Sequence, residues 1–287
     1  MSAQGSHRAY GQVFDQAAEA YDEFRPGYPP SLVGLAVDRG GLAPGSRVLE
    51  VGCGTGKLTE RLVERGLLVD AVDPGPNMIA TARRRIGPTA AVTFHLGRFE
   101  DVDLPGPFDA VFSATAFHWI DPEVSWAKVA EHLEPDGLLA LMTHLGLRTD
   151  ESAGLQDEFV ELVREYAPDV AAGRRPPREL PVILGGVPER RGNASEVWDW
   201  MMGAGRHGLA MPYAAELFED VQVDTELRTS EENADELVAH FRTTSLYHRI
   251  APERRDAFED ADRRLIERHG GTIRLSFAAV LMTALRA

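Results

Sequence analysis

Residues 48–57 read VLEVGCGTGK. An apolar run ends in an acid, Glu50, and glycine then recurs at every second position, Gly52, Gly54 and Gly56. The stretch SRVLEV (46–51) has the composition of a buried strand, and KLTERLVERG (57–66) reads as a helix closed by glycine. The glycines therefore occupy a strand-to-helix turn, where their spacing sorts one class of cofactor loop from another. A nucleoside-triphosphate loop needs G-x-x-x-x-G-K-[ST]. Here Gly56-Lys57 is followed by Leu58, and Val51 stands five residues before Gly56, so both ends fail. The dinucleotide pattern G-x-G-x-x-G would start at Gly52 and Gly54, but its third glycine falls on Lys57. That weakens an NAD(P) site and leaves it as a rival.

The chain around the loop repeats the same alternation. LLVDAVD is a strand and PNMIATARRRI a helix; AVTFHL is a strand and GRFEDVDLPGP a loop. FDAVFSA is a strand, PEVSWAKVAEHLEPDG a helix expected to end at Gly137, and LLALMTH a strand. Such alternation specifies an α/β fold with a doubly wound, mainly parallel sheet, whose ligands bind outside the carboxyl ends of the strands. Before the loop, Phe14, Ala17, Ala18 and Tyr21 mark an amphipathic helix over 11–24, broken by RPGYPPS (25–31) and restarted from Ser31 to Arg39. After His144 the alternation stops. A helix at 155–166, an Arg/Pro linker GRRPPRELP and ASEVWDWMMGAGRHGLAMPY follow, read as a helical cap insertion. A strand FEDVQVDTEL, helices at 233–243 and 252–269, and a strand TIRLSFAAVLMTAL close the chain. The expected division is N-terminal helices over the site (1–40), a cofactor-binding core (41–145), the cap (146–214) and a C-terminal part of the sheet (215–287).

Downstream spacing narrows the ligand. Asp73 ends the second strand, 21 residues after Gly52, where an acid can accept hydrogen bonds from a ribose; NAD sites use the same acid. Taken with E-V-G-C-G-T-G, with Met78, with GRFED (97–101) and with FDAVFSATAFHWID (108–121), it makes four motifs in register over residues 10–145. The chain resembles the class I S-adenosylmethionine-dependent methyltransferases, and within them the small-molecule branch containing trans-aconitate and related carboxyl methyltransferases. That branch also carries an N-terminal motif read here as YDEFRPGYP, Tyr21 to Pro29.

The resemblance implies a seven-stranded Rossmann-like sheet, S-adenosyl-L-methionine as cofactor, and methyl transfer to a small molecule, leaning to oxygen (carboxylate or hydroxyl). It assigns the cofactor to Glu50, Gly52, Gly54, Gly56, Asp73, Met78, Phe99 and Glu100, with Arg25 a candidate partner for the cofactor's carboxylate. Tyr21 and Trp119 become acceptor-binding candidates. His118 follows the fourth strand where acceptor and methyl group would meet, and a histidine there suits a general base. His144 and His248 are weaker candidates. Trp198, Trp200, Met201 and Met202 cannot share one helical face, so they divide between core and some other contact. The rivals are an NAD(P) oxidoreductase and a methyltransferase-fold protein that binds the cofactor without transferring methyl, as a regulator or a cyclase.

Bulk properties agree with an enzyme of small molecules. The 287 residues carry a net charge of −15, which argues against a nucleic-acid partner, and RRR at 83–85 reads as a solvated helix face. The single cysteine, Cys53, forbids an intramolecular disulfide and a cysteine metal cage, and His and Asp show no metal-ligand spacing. No apolar run reaches a membrane span and the N-terminus lacks a secretory pattern, so a cytoplasmic location is expected. The NPPY of nucleobase amino-methylating enzymes is absent; Ala114-Thr115-Ala116-Phe117 stands after the fourth strand.

Overall fold

Alternation along β1 (Arg47–Val51) sends Val48 and Glu50 to one face of a sheet and Leu49 and Val51 to the other, and all four are buried. A strand covered on both faces belongs in the interior of a layered α/β fold. The computed structural model describes Asp15, Ala18 and residues 22–23, 25–168, 176–203 and 208–287. In chain order it holds α1 (Pro30–Arg39), β1, α2 (Lys57–Val63), β2 (Leu68–Asp73), α3 (Pro76–Ile86), β3 (Val92–Leu96) and β4 (Phe108–Ala114). Then come α4 (Pro122–His132), β5 (Leu133–Gly146), α5 (Ala153–Tyr166), α6 (Leu180–Gly185) and α7 (Ala194–Met202). The chain ends with β6 (Phe218–Asn233), α8 (Ala234–Arg242), α9 (Ser245–His248), α10 (Arg255–Arg268) and β7 (Thr272–Arg286).

The seven strands lie in the order β3-β2-β1-β4-β5-β7-β6. The first five are parallel and β7 enters antiparallel between β5 and β6. The order reverses direction at β1 and β4, so the crevice of the switch point opens beside the glycine turn. One face of the sheet packs α1 and α2 through Leu32, Val33, Leu58 and Leu62; the other packs α4 and α7 through Trp126, Val129, Val197 and Trp198.

Three boundaries differ from expectation. The helix expected to reach Gly137 stops at His132, and Leu133 already begins β5. Pro135 removes an amide and disfavours helical backbone at Glu134, which ends the helix there. The sixth strand is longer than expected, because β6 runs on from Leu227 to Asn233 as the partner of Thr272. Its outer half is polar on both faces, as an edge strand allows, and so carries no buried-strand signature. The final helix starts at Arg255, after a 3-10 turn at Pro252–Arg254. The helix expected over 11–24 lies largely outside the described residues, although Asp15, Ala18, Asp22 and Glu23 are helical.

The 146–214 segment divides into two. Its helix α5 packs on α8–α10 through an aromatic cluster in which Phe159 meets Phe241 and Phe258 edge-on. Its second half enters the main core: Trp198 and Met201 are buried, while Trp200 is flanked by the guanidinium groups of Arg178 and Arg190. Among the described residues no helix is long and apolar enough to cross a membrane.

Candidate functional site

The turn after β1 is held shut by protein on two sides. Gly52, Gly54 and Gly56 all have positive φ, and the amides of Gly52 and Cys53 both donate to the Val72 carbonyl at the end of β2, at 2.8 and 3.1 Å. A Cβ on Gly52 would fall 2.3 Å from the Cβ of Ala116, and one on Gly56 3.0 Å from that of Ala82. These two glycines let β4's exit and α3 approach the turn. Gly54 is different: among the described residues a Cβ there meets nothing within 4 Å, so they leave its backbone open.

Two carboxylates flank that space. Glu50 is wholly buried, and its Oε2 has no hydrogen-bond partner among the described residues. Burial pushes its carboxyl up to about 8; the Thr59 hydroxyl opposes the shift and the nearby Asp73 charge adds to it. Asp73 ends β2, with one oxygen accepting from the Gly54 amide at 2.9 Å and the other from the Gly75 amide at 2.8 Å. Burial raises it to about 6, the two amides pull it down, and Asp15 raises it further. An unpartnered buried oxygen and two carboxyls held above their ordinary range form a site that favours a positively charged ligand.

The N-terminal segment is fastened across this corner. Asp15 accepts from the amides of Asn77 and Met78 at 2.7 and 3.1 Å, serving the exposed N-terminus of α3. Asp22 pairs with Arg85 at 2.6 Å, and Lys57 donates to its backbone carbonyl at 2.7 Å. Of the RRR run, Arg85 is thus part of this fastening, while Arg83 lies over Phe94 and Arg84 donates to Thr81. Asp15, Asp22 and Lys57 were not expected to take part. The two acids signal themselves in the sequence only as acids on the helical pattern before RPGYPPS, and Lys57 only as the residue after Gly56.

Of the remaining cofactor candidates, Met78 is buried at the first turn of α3, beside Gly75. Phe99 turns into the core, with His132 and Lys128 against its ring. Glu100 accepts from Arg98 at 2.5 Å and from the Asp121 amide at 3.3 Å through the same oxygen, which anchors the loop after β3 to the start of α4. Arg25 donates through Nε to the Thr243 hydroxyl (3.0 Å) and through Nη2 to the Thr243 carbonyl (3.2 Å).

On the other side of the turn, His118 and Trp119 lie in a 3-10 turn (Phe117–Trp119) directly after β4. His118 is buried and tilted against the Trp119 ring, with centroids 4.8 Å apart. Thr115 has φ +55, a strained value for a β-branched residue, and its hydroxyl bonds the Tyr28 hydroxyl at 2.8 Å. Tyr28 stacks on His144 at the end of β5. His248 lies apart, with its hydrogen bond on the Arg242 backbone. Tyr21 lies outside the described residues. Tyr28 and Thr115 were missed, because a positive φ at threonine leaves no mark in the sequence.

This corner belongs to a recognisable class of protein. The methyltransferase-domain profile matches residues 48–137, which span the turn, Asp73 and the exit of β4. An uncharacterized methyltransferase of Mycobacterium tuberculosis is 42% identical over 159 residues, 55% of this chain and 61% of the relative. An uncharacterized methyltransferase of Geobacillus thermodenitrificans is 31% identical over 182 residues, 55% of this chain and 82% of the relative. A malonyl-[acyl-carrier protein] O-methyltransferase of Bacillus cytotoxicus is 31% identical over 168 residues, 56% of this chain and 58% of that protein. The chain belongs to the methyltransferases. It spans about three fifths of the length of the Mycobacterium relative.

Proposed function

We propose that this protein transfers a methyl group from S-adenosylmethionine to an oxygen of a small molecule. The observation that carries the reading is the pair of buried carboxyls, Glu50 and Asp73, on either side of the open backbone at Gly54. S-adenosylmethionine brings an ammonium and a sulfonium, and the unpartnered Oε2 of Glu50 fits the ammonium. Asp73 keeps lone pairs free beyond its two amide bonds and fits the ribose diol. A dinucleotide would instead bring a pyrophosphate dianion toward two acids, which disfavours the NAD(P) rival.

The bound cofactor would supply an electrophilic methyl group and a thioether leaving group. The work left to this chain is to hold, orient and exclude water. Asp15 and Asp22 tie the N-terminal segment over α2 and α3, which shields the corner beside Asp73. The strained turn at Thr115 and the 3-10 turn after it present Tyr28, His118 and Trp119 on the opposite side. Orientation of this kind supplies several kcal/mol of rate, about 7–11 in well-aligned cases. His118 would accept the proton of a hydroxyl acceptor; a carboxylate acceptor would require no base. Support for oxygen comes from the Bacillus cytotoxicus O-methyltransferase and from the resemblance of the N-terminal motifs to carboxyl methyltransferases.

The test is release of S-adenosylhomocysteine from S-adenosylmethionine against a panel of small hydroxyl and carboxyl compounds, with amines as controls. Turnover confined to oxygen acceptors is the expected result. Turnover confined to amines would overturn the oxygen assignment. Tight cofactor binding with no turnover on any compound would favour a regulator or cyclase.

A further inference from the structure

We infer that His144 is an acceptor-binding residue, its Nε2 taking a hydrogen bond from an O–H or N–H of the methyl acceptor. The inference rests on the methyltransferase reading above and narrows it to protic acceptors. His144 stands near the end of β5, next to β4 in the sheet, on the crevice side of the fold. Its position relative to the glycine turn follows from contacts already described. Gly52 touches Ala116, its neighbour Thr115 bonds Tyr28, and Tyr28 stacks on His144 with centroids 5.2 Å apart and ring planes 28° apart.

The imidazole is prepared as an acceptor. It hydrogen-bonds the Gly27 backbone, while Nε2 is buried and has no hydrogen-bond partner among the described residues. Donation to the Gly27 carbonyl fixes the tautomer and leaves the lone pair on Nε2. The groups facing the ring favour the neutral form. Burial is the main cause holding the ring down, to about 4; the cations Arg228 on β6 and Arg25 from the N-terminal segment add to it, the Gly27 hydrogen bond opposes it, and Tyr28 is uncharged. A buried, neutral, acceptor-only nitrogen in a ligand crevice asks for a donor on the ligand. An ionised carboxylate has none and would set two acceptors face to face. A hydroxyl or amino group satisfies it, and the Tyr28 ring beside it suits a flat apolar body.

The test uses phenol and its methyl ether anisole, which share a ring and differ in the donor. Each is titrated into ¹⁵N-histidine-labelled protein saturated with S-adenosylhomocysteine, and the His144 resonance, identified by its loss in His144→Phe, is followed. Phenol is expected to move the Nε2 resonance saturably and anisole to leave it in place. Phenol affinity is expected to fall roughly tenfold in His144→Phe, which keeps the stack, and to recover in His144→Gln, which restores an acceptor. Equal responses to phenol and anisole, or an unmoved Nε2, would overturn the inference, as would an internal water that neither probe displaces. Titration of S-adenosylhomocysteine into the same samples separates the two levels. If it binds and only the Nε2 response fails, the inference alone falls; if it does not bind wild-type protein, the methyltransferase reading falls and takes the inference with it.

Discussion

Asp73 fixes the turn through the Gly54 and Gly75 amides. Under the proposed function the same carboxylate would also receive the ribose hydroxyls of the cofactor. Asp73→Ala should therefore weaken S-adenosylmethionine binding by about 1.5–3 kcal/mol, the worth of a charged hydrogen bond, in a calorimetric titration. Unchanged affinity in a folded variant would remove Asp73 from the site. His118 carries the chemical part of the proposal. With a hydroxyl acceptor, His118→Ala should lower kcat by about 10²–10⁴ while cofactor affinity barely moves. With a carboxylate acceptor the same change should raise KM and leave kcat nearly intact, so steady-state kinetics on any turned-over compound distinguishes the two.

Among the elements, the N-terminal segment is the one expected to move as ligand binds. It is joined to the core by Asp22–Arg85 and Asp15–α3 on the cofactor side and by Arg25–Thr243 on the acceptor side, all polar contacts that can be remade. Amides of 25–31 are accordingly expected to exchange more slowly with S-adenosylhomocysteine bound, as for a gating element. Equal exchange in both states would show the segment to be a fixed wall. The strands and helices of 46–132 were legible because burial imposes a period on each: β4 and α3 begin and end where their residues predict. The turn residues were legible because only glycine tolerates the approach of Ala116 and Ala82. The edge strand β6 was only partly legible, since a strand with one neighbour and polar faces has no pattern to obey. The acceptor side was least legible. Tyr28, Thr115 and His144 come from three distant stretches and are joined only by the sheet order.

For the whole molecule, buried carboxyls set the pH dependence of stability. Glu50, Asp262 and Asp73 are raised to about 8, 7 and 6, chiefly by burial, so the folded state binds protons that the unfolded chain has already released. Stability from these groups is fullest below the ordinary carboxyl range and declines as pH rises toward their folded values. His144 and His248 are depressed and act oppositely, gaining stability as pH rises to about 6.5, their ordinary value. The window from pH 6.5 to 8 therefore isolates the acids. Thermal unfolding of the ligand-free protein should show a loss of about 2–3 kcal/mol across it, diminished in Glu50→Gln. A flat or rising profile would mean that Glu50 is not held protonated.

A corner built for a cationic cofactor should give up a proton when that cofactor binds. S-adenosylmethionine and NAD⁺ are titrated at pH 7 in two buffers of different ionisation enthalpy. At that pH the Glu50 carboxyl, raised to about 8, is mostly protonated without ligand. An ammonium against it must drive the proton off. S-adenosylmethionine is expected to bind with release of close to one proton, Glu50→Gln to abolish the release, and NAD⁺ not to bind. Binding of NAD⁺ in preference, or S-adenosylmethionine binding with no proton released in either buffer, would contradict it.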